Sequence, residues 1–360
     1  APLSWSDIRA MRWNPSPSAG SDSERRRTYA MSLEQAEQLW ISAATVGPEV
    51  KPLLLFYALA QASRAIVANH DTIGRPATVG GHGMTTRVDE GKFEKDPLDA
   101  IQTKVLSPGK RGQNLIHRVA DLVGSPIEEG FTMSLKEALQ ATPFAFHAPI
   151  SGIDLGRGPL AVKCFRPPDY LQLEAAFPKG VLLREPQRAT SQKFGMTQLD
   201  PIVRYLEDHY PRFANLGLPS TAYCDTTESS STIQFVYKTS PQPGPLYEAF
   251  DAIHDRNPDG RVINIGGIFM PRMPNNASSL HPLVAWWLVL FPLSILARYH
   301  PNLWQKLLDI DRSSLAEPLS NLLSRQTLIL PTIIHGTLRQ PTPPLYLSRS
   351  ATGMFGDGWI

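Results

Sequence analysis

The chain has 360 residues, of which 42% are hydrophobic and 19% charged; this length suits two lobes or one core with a large insertion, and the composition excludes a disordered protein. A formal net charge of +2 gives no strong overall field, so nucleic-acid binding would need a local basic patch. The only cysteines, Cys164 and Cys224, exclude a disulfide framework or a cysteine-only zinc site within one chain.

The first part of the chain predicts helices. Residues 15–27 are rich in Ser, Pro, Gly and Arg and predict a mobile loop that ends in a solvated helix start. Ser32-Leu-Glu-Gln35 matches a capping box, so a helix is expected to begin there. Residues 51–70 are nearly all apolar, with Pro52 near N1, which predicts a buried helix and, with the preceding one, a helical hairpin.

A glycine-rich turn follows. Glycines at positions 80, 81 and 83 surround His82 and allow backbone conformations that other residues avoid. Exposed amides in such a turn can form a small anion-binding nest, and a tight structural turn is the alternative. The spacing matches neither a P-loop nor a dinucleotide fingerprint. Residues 89–110 are charged and irregular, and Ser134-Leu-Lys-Glu137 is a second capping box that begins a helix.

Strand patterns take over in the middle of the chain. Short β-branched or aromatic runs bounded by Pro or Gly lie at residues 160–166, 181–184, 231–238 and 261–269. We therefore predict an α+β protein with a mainly helical body and a central inserted region of short β-strands. The predicted boundaries are 1–150 and 273–340 for the two helical parts, 151–272 for the inserted region and 341–360 for a tail.

The most apolar stretch lies in the second helical part. Residues 282–297 are shorter than the roughly 20 residues of a membrane-spanning helix, and Pro292 interrupts them. A buried core helix is therefore expected. The first residues lack the basic and apolar segments of a signal peptide. We predict a cytoplasmic protein without membrane contact.

Three segments resemble the YaaC-like bacterial proteins. Lys51-Pro-Leu-Leu-Leu-Phe-Tyr-Ala-Leu-Ala-Gln61 and Gly81-His-Gly-Met-Thr-Thr-Arg87 are similar to that family's Lys-Pro-x-Leu-Leu-Phe-Tyr helix and His-Gly-x-Ser/Thr-Thr-Arg turn. Leu293-Ser-Ile-Leu-Ala-Arg-Tyr-His-Pro-Asn-Leu-Trp304 is similar to its Leu-Ser-Met-x-Ala-Arg-Tyr segment. The resemblance covers the two helical ends and implies an order of elements, but no established reaction.

The best candidate site residues come from these segments. They are His82 and Arg87 in the turn, with Arg298, Tyr299 and His300 at the end of the apolar helix. Arginine offers a planar fork to a phosphate or carboxylate. The alternative is that Arg298 and Tyr299 cap the helix by binding its last carbonyls.

A second candidate site uses Arg64 and His70. Their spacing resembles the Arg-x(4–6)-His motif of the HEPN ribonucleases, in which histidine would transfer a proton while arginine stabilises the transition state. The HEPN ribonucleases are also helical, and HEPN-like helical hairpins would fit the predicted helical body. On a continuous helix the two side chains would point about 240° apart, so His70 would have to lie beyond the helix end.

These observations leave three functional hypotheses, and whether the protein is an enzyme stays open. The first is a non-catalytic protein that binds a partner: another protein, a second copy of itself, a nucleotide or a nucleic acid. The second is a HEPN-like, metal-independent ribonuclease of a toxin or antiphage-defence system, with Arg64 and His70 as catalytic residues. The third is phosphate-ligand binding at the Gly80–Arg87 turn with Arg298. The histidine spacings fit no metal motif, so neither a metal nor a cofactor is expected.

Overall fold

The chain divides into two compact units in the computed structural model. A helical unit comprises Pro2–Ile153 and Leu280–Thr342, and a sheet unit comprises Asp154–Ser279, Pro343–Ile360 and Ala1. The structure describes residues 5–72, 81–108, 114–142, 150, 153, 158–165, 170–178, 192–194, 205–206, 208–210, 221–226, 230–238, 264–272, 279–339, 341 and 346–348.

The helical unit consists of helices and one small sheet. Its helices are Trp5–Met11 (α1), Pro17–Ser21 (α2), Ser23–Thr45 (α3), Lys51–His70 (α4), Glu90–Phe93 (α5), Pro97–Ala100 (α6), Leu115–Leu122 (α7), Leu135–Gln140 (α8), Pro282–Tyr299 (α9), Pro301–Leu308 (α10) and Ala316–Arg339 (α11). Its strands are Met84–Val88 (β1), Ile101–Val105 (β2) and Thr132–Ser134 (β3). The predicted α+β class with a mainly helical body is confirmed.

Helix α4 is the centre of this unit. Thirteen of its twenty residues are buried, and α3, α7, α9 and α11 all pack against it. A helix that is apolar on nearly every side is stable only when neighbours cover it all round, as these do. Its least buried positions, which include Tyr57 and Arg64, form a single stripe.

Helix α3 forms the predicted hairpin with α4 but begins earlier than expected. The side chain of Asp22 accepts hydrogen bonds from the backbone N–H groups of Glu24 and Arg25, at 2.9 and 3.1 Å. The predicted capping box at Ser32–Gln35 is therefore wrong, because Ser32 lies buried inside a helix that Asp22 has already started. The second predicted box is present, since Ser134 and Glu137 cap each other at the start of α8.

Helix α9 is the apolar helix of the second helical part. It is long and apolar enough to cross a membrane, but 78% of it is buried inside the protein, as in a core helix. Buried His281 caps its start, because the Nδ1 atom accepts a hydrogen bond from the backbone N–H of Leu283 at 3.0 Å. Pro292 lies within the helix and does not end it.

The small sheet corrects the prediction that residues 89–110 are irregular. Strand β2 lies between β1 and β3, and both pairings are antiparallel. Met84, Ile101 and Val105 point into the core, whereas Arg87 and Lys104 point outward. Two short capped helices, α5 and α6, connect β1 to β2. The charged residues of this segment therefore belong to helix caps and to the outer face of a half-buried sheet.

The sheet unit contains one antiparallel sheet of seven strands in the order β10-β9-β4-β5-β8-β7-β6. The strands are Leu160–Phe165 (β4), Tyr170–Pro178 (β5), Gln192–Phe194 (β6), Thr221–Thr226 (β7), Ser230–Lys238 (β8), Asn264–Phe269 (β9) and Tyr346–Ser348 (β10). The predicted strands at 160–166, 231–238 and 261–269 correspond to β4, β8 and β9, while 181–184 lies outside the described residues.

The two cysteines lie on different strands of this sheet. Cys164 is on β4 and Cys224 on β7, and β5 and β8 lie between them. Three strand spacings amount to about 14 Å, which is too far for a disulfide within the chain.

Candidate functional site

The candidate site begins where helices α4 and α9 cross. The ring centroid of Phe56 lies 5.4 Å from that of Trp287 and 5.3 Å from that of Phe291. Two turns further along α4, the indole N–H of Trp287 donates a hydrogen bond to the buried Oγ of Ser63 at 2.8 Å. This packing fixes the two helices against each other, so their exposed ends present side chains in a defined arrangement.

The His82 turn packs against the start of α7. Gly83 has φ +83°, and a Cβ atom there would come within 2.5 Å of Asn114 Cβ and 2.9 Å of Ile116 Cγ2. Glycine is therefore required for both conformation and space. The backbone N–H of Leu115 donates to the carbonyl of Gly81 at 3.2 Å. The predicted tight turn is present from Gly81 onward; Gly80 lies outside the described residues.

The turn places the imidazole of His82 on the aromatic core. Its ring centroid lies 4.6 Å from that of Phe291 and 6.2 Å from that of Phe56. Nδ1 accepts a hydrogen bond from the backbone N–H of Met84 at 3.2 Å, so in the neutral ring Nε2 carries the proton. Burial against the phenyl rings, and then the positive charge of Arg298, lower the pKa of His82. The neutral ring thus offers one N–H donor on its exposed side.

Arg298, in the last turn of α9, lies between two tyrosines. Its Nη1 donates to the hydroxyl of Tyr57 at 2.9 Å, and its Cζ lies 4.9 Å from the ring centroid of Tyr299 and 5.7 Å from that of Tyr57. Nε is buried, and no hydrogen-bond partner for it lies in the part of the chain that the structure describes. Among the described residues no carboxylate pairs with this guanidinium. We call Tyr57, His82, Arg298 and Tyr299 the Arg298 cluster.

The Arg298 cluster unites three segments that are far apart in the sequence. The described side-chain hydrogen bond of Arg298 goes to Tyr57 on α4 and not to a carbonyl of its own helix. At the end of α9, the carbonyl of Leu296 accepts a hydrogen bond from the backbone N–H of His300 at 3.0 Å. The dipole of α9 favours a cation in its last turn but does not neutralise a full charge. Arg298 therefore has a role between helices in addition to any effect as a cap.

Two predicted residues lie apart from this cluster. Arg87 is exposed on the outer face of the small sheet, opposite Gln102 of β2. His300 is half-buried at the junction of α9 and α10, where its carbonyl accepts the backbone N–H of Trp304 at 3.0 Å. No described side-chain contact joins either residue to the Arg298 cluster.

Arg64 and His70 also lie apart from each other. Helix α4 continues through His70, so the two side chains leave the helix about 240° apart. The Nε2–H of His70 donates to the carbonyl of Leu338 in α11 at 2.6 Å. Arg64 lies instead on the stripe of Tyr57, two turns further along α4. Ribonuclease chemistry with Arg64 and His70 stays a prediction, and the described role of His70 is to hold α11.

A second group of polar and charged residues surrounds the end of α4. No pattern in the sequence predicts this group. The Nε atom of Arg118 donates to Oδ2 of Asp71 at 2.7 Å, and the two side chains form a buried ion pair. Arg25 Nη1 donates to the Asp71 carbonyl, and Asn69 Oδ1 accepts the backbone N–H of Ser16 at 2.8 Å. Arg25 is therefore buried, not a solvated helix start as predicted. We call Asn69, Asp71, Arg25 and Arg118 the Asp71 cluster.

The comparisons with known proteins give one match. A protein-family model described as YaaC-like Protein matches residues 9–338, which is most of the chain. The match spans all three segments that form the Arg298 cluster. Neither the curated proteins nor the solved structures contain a match.

Proposed function

The chain belongs to the YaaC-like family, and from this premise we propose that it acts by binding a partner through the Arg298 cluster, and that the group recognised there is a phosphate. The observation that carries this proposal is the uncompensated charge of Arg298. Its guanidinium is held by two tyrosines, with no carboxylate partner among the described residues.

The cluster provides three hydrogen-bond donors, and the charge of Arg298 acts on His82. Arg298 donates through its guanidinium, His82 through Nε2–H, and the hydroxyl of Tyr57, which already accepts from Arg298, has its own proton to give. A set of donors without an acceptor fits an anion. Hydrogen bonds to a charged group contribute about 1.5–3 kcal/mol each, so three of them correspond to a dissociation constant between about millimolar and micromolar.

The arrangement favours phosphate over carboxylate. The three donors come from three separate segments, namely α4, the turn before β1, and α9. A carboxylate accepts hydrogen bonds mainly in its own plane, whereas a phosphate presents oxygens in several directions and carries more charge. A phosphate dianion would also stabilise protonated His82, whose pKa is lowered in the free protein.

Calorimetric titration of the purified full chain with inorganic phosphate, at constant ionic strength, tests this function. We expect saturable binding to the wild-type protein and at least about tenfold weaker binding to Arg298→Gln, because a charge-assisted bond is lost. Arg87→Ala is the matched control: it removes an exposed arginine of the neighbouring sheet and leaves binding unchanged. Absence of saturable binding, or equal binding by Arg298→Gln and the wild type, overturns the proposal.

A further inference from the structure

Building on the proposed phosphate site, we infer that its ligand is a nucleotide whose base stacks on Tyr299. The phosphate would lie at Arg298 and His82, and the planar base beside them on the tyrosine ring. This inference rests on the proposed function and adds to it the chemical class of the rest of the ligand.

The first support is the exposure of aromatic surface around Arg298. Tyr299 is 65% exposed and Tyr57 40%. The described helical unit buries nearly all its other large aromatic side chains, including Trp286, Trp287 and Phe291, which are at most 1% exposed. An exposed tyrosine next to an uncompensated arginine offers a planar surface adjoining a charge, as proteins that bind nucleotides or single strands use.

The second support is an apolar side chain on the other side of the turn. Leu106 is 41% exposed, and its backbone N–H donates to the carbonyl of Gly83 at 2.9 Å. It therefore borders the turn that carries His82. Inorganic phosphate would use the donors but leave Tyr57, Tyr299 and Leu106 exposed. A ligand that covers them needs a flat or apolar part attached to its phosphate, which a nucleotide has.

A ligand series separates the parts of this ligand. The full chain is titrated calorimetrically with inorganic phosphate, ribose 5-phosphate, adenosine 5′-monophosphate and adenosine. We expect adenosine 5′-monophosphate to bind about five- to 150-fold more tightly than ribose 5-phosphate, which is the range for one stacked base. Adenosine, without a phosphate, binds more weakly than adenosine 5′-monophosphate.

Substitutions at Tyr299 identify the surface that binds the base. In Tyr299→Ala, the affinity for adenosine 5′-monophosphate should fall to that for ribose 5-phosphate measured with the same variant, because the ring that stacks on the base is lost. Tyr299→Phe keeps a stacking ring and restores the difference. Trp13→Ala is the control and should have no effect. Trp13 is 85% exposed and lies between α1 and α2, outside the three segments of the Arg298 cluster.

The outcomes distinguish the two proposals. If all phosphate-bearing ligands bind equally and Arg298→Gln abolishes their binding, the nucleotide inference is overturned and the phosphate site stands. If adenosine binds as tightly as its monophosphate, or if no ligand of the series binds, the phosphate site and the nucleotide inference both fail. The inference is also overturned if Tyr299→Ala still binds adenosine 5′-monophosphate more tightly than ribose 5-phosphate, because the base then binds elsewhere.

Discussion

Arginine side chains from other elements lie near both ends of helix α4, but the charges around them differ. At its C-terminal end, the guanidinium groups of Arg118 and Arg25 bind the carboxylate and the carbonyl of Asp71, and all three residues are buried. Towards its N-terminal end, Arg298 lies among tyrosines without a carboxylate partner among the described residues. Burial and charge compensation, rather than residue type, therefore separate the structural Arg118 from Arg298, for which we propose a binding role.

Removing the Asp71 carboxylate should have the largest effect on stability. Asp71→Asn leaves Arg118, which is 8% exposed, as a buried charge without its counter-ion, so the free energy of unfolding should fall by about 3–5 kcal/mol. Urea unfolding followed by circular dichroism measures this change.

The matched control is Asp96→Asn. Asp96 pairs with Lys136 at 2.8 Å, but the two side chains are 45% and 32% exposed, so the loss should stay below about 1 kcal/mol. Similar losses for Asp71→Asn and Asp96→Asn would contradict the structural role given to the Asp71 cluster.

The glycines that flank His82 should differ in their tolerance of a side chain. Gly83→Ala forces alanine into φ +83° and against Asn114, so it should lower the free energy of unfolding by about 1–3 kcal/mol. Gly81→Ala should be tolerated better, because a Cβ atom there has nothing within 4 Å. Thermal unfolding of the two variants measures the difference, and an equal cost would show that the turn is not fixed as described.

Buried His117 should make the protein less stable in acid. Both of its ring nitrogens are buried without a hydrogen-bond partner among the described residues. Burial lowers the pKa of His117 from its ordinary value of 6.5, against the opposing charges of Asp121 and Glu129. The unfolded chain therefore binds more protons than the folded one below about pH 6.5, and stability falls as the pH falls through that range.

The variant His117→Leu tests this origin of acid sensitivity. Removing a polar ring without partners should raise the free energy of unfolding near pH 7 by about 1 kcal/mol. It should also reduce the loss of stability between about pH 7.5 and about pH 5.5, although His70 and His82, whose pKa values are lowered as well, still contribute. Denaturant titrations at several pH values give both numbers. An unchanged pH dependence would assign the acid sensitivity to other groups.

The smallest stability effect is expected at Arg298. Arg298→Gln should lower the free energy of unfolding by less than about 1 kcal/mol, because the hydrogen bond and the two cation–π contacts that it removes lie at the solvent-exposed surface. Arg118→Gln, the same substitution at the other end of α4, should cost about 3–5 kcal/mol. Chemical denaturation of the two variants under identical conditions measures the contrast. A large loss for Arg298→Gln would mean that this arginine is mainly structural.

Local sequence patterns predicted the helices and caps that depend only on residues close together in the sequence. The apolar run of α4, Pro52 at its start and the capping box at Ser134 all act within a few positions, and the structure contains them. The ion pair of Asp71 with Arg118 joins residues 47 positions apart, and no local pattern marks it.

The candidate site shows the same limit. Arg87 and His82 are close in sequence, which predicts that they share one site. In strand β1, however, side chains alternate between the two faces of the sheet, and Arg87 points outward. Recognition of β1 as a strand would have separated the two residues. Tyr57 was missed because it belongs to a helix that looks buried throughout; only the packing of the neighbouring helices leaves it exposed.

The most direct test of the central claim is to observe both kinds of arginine during one titration. In nitrogen-15 NMR spectra, the side-chain Nε–H signals of Arg298 and Arg118 are assigned by their loss in the Arg→Gln variants and followed as inorganic phosphate is added. We expect the Arg298 signal to shift and saturate, while the Arg118 signal stays in place. A stationary Arg298 signal, or equal shifts of both signals, would contradict the difference between the two arginines.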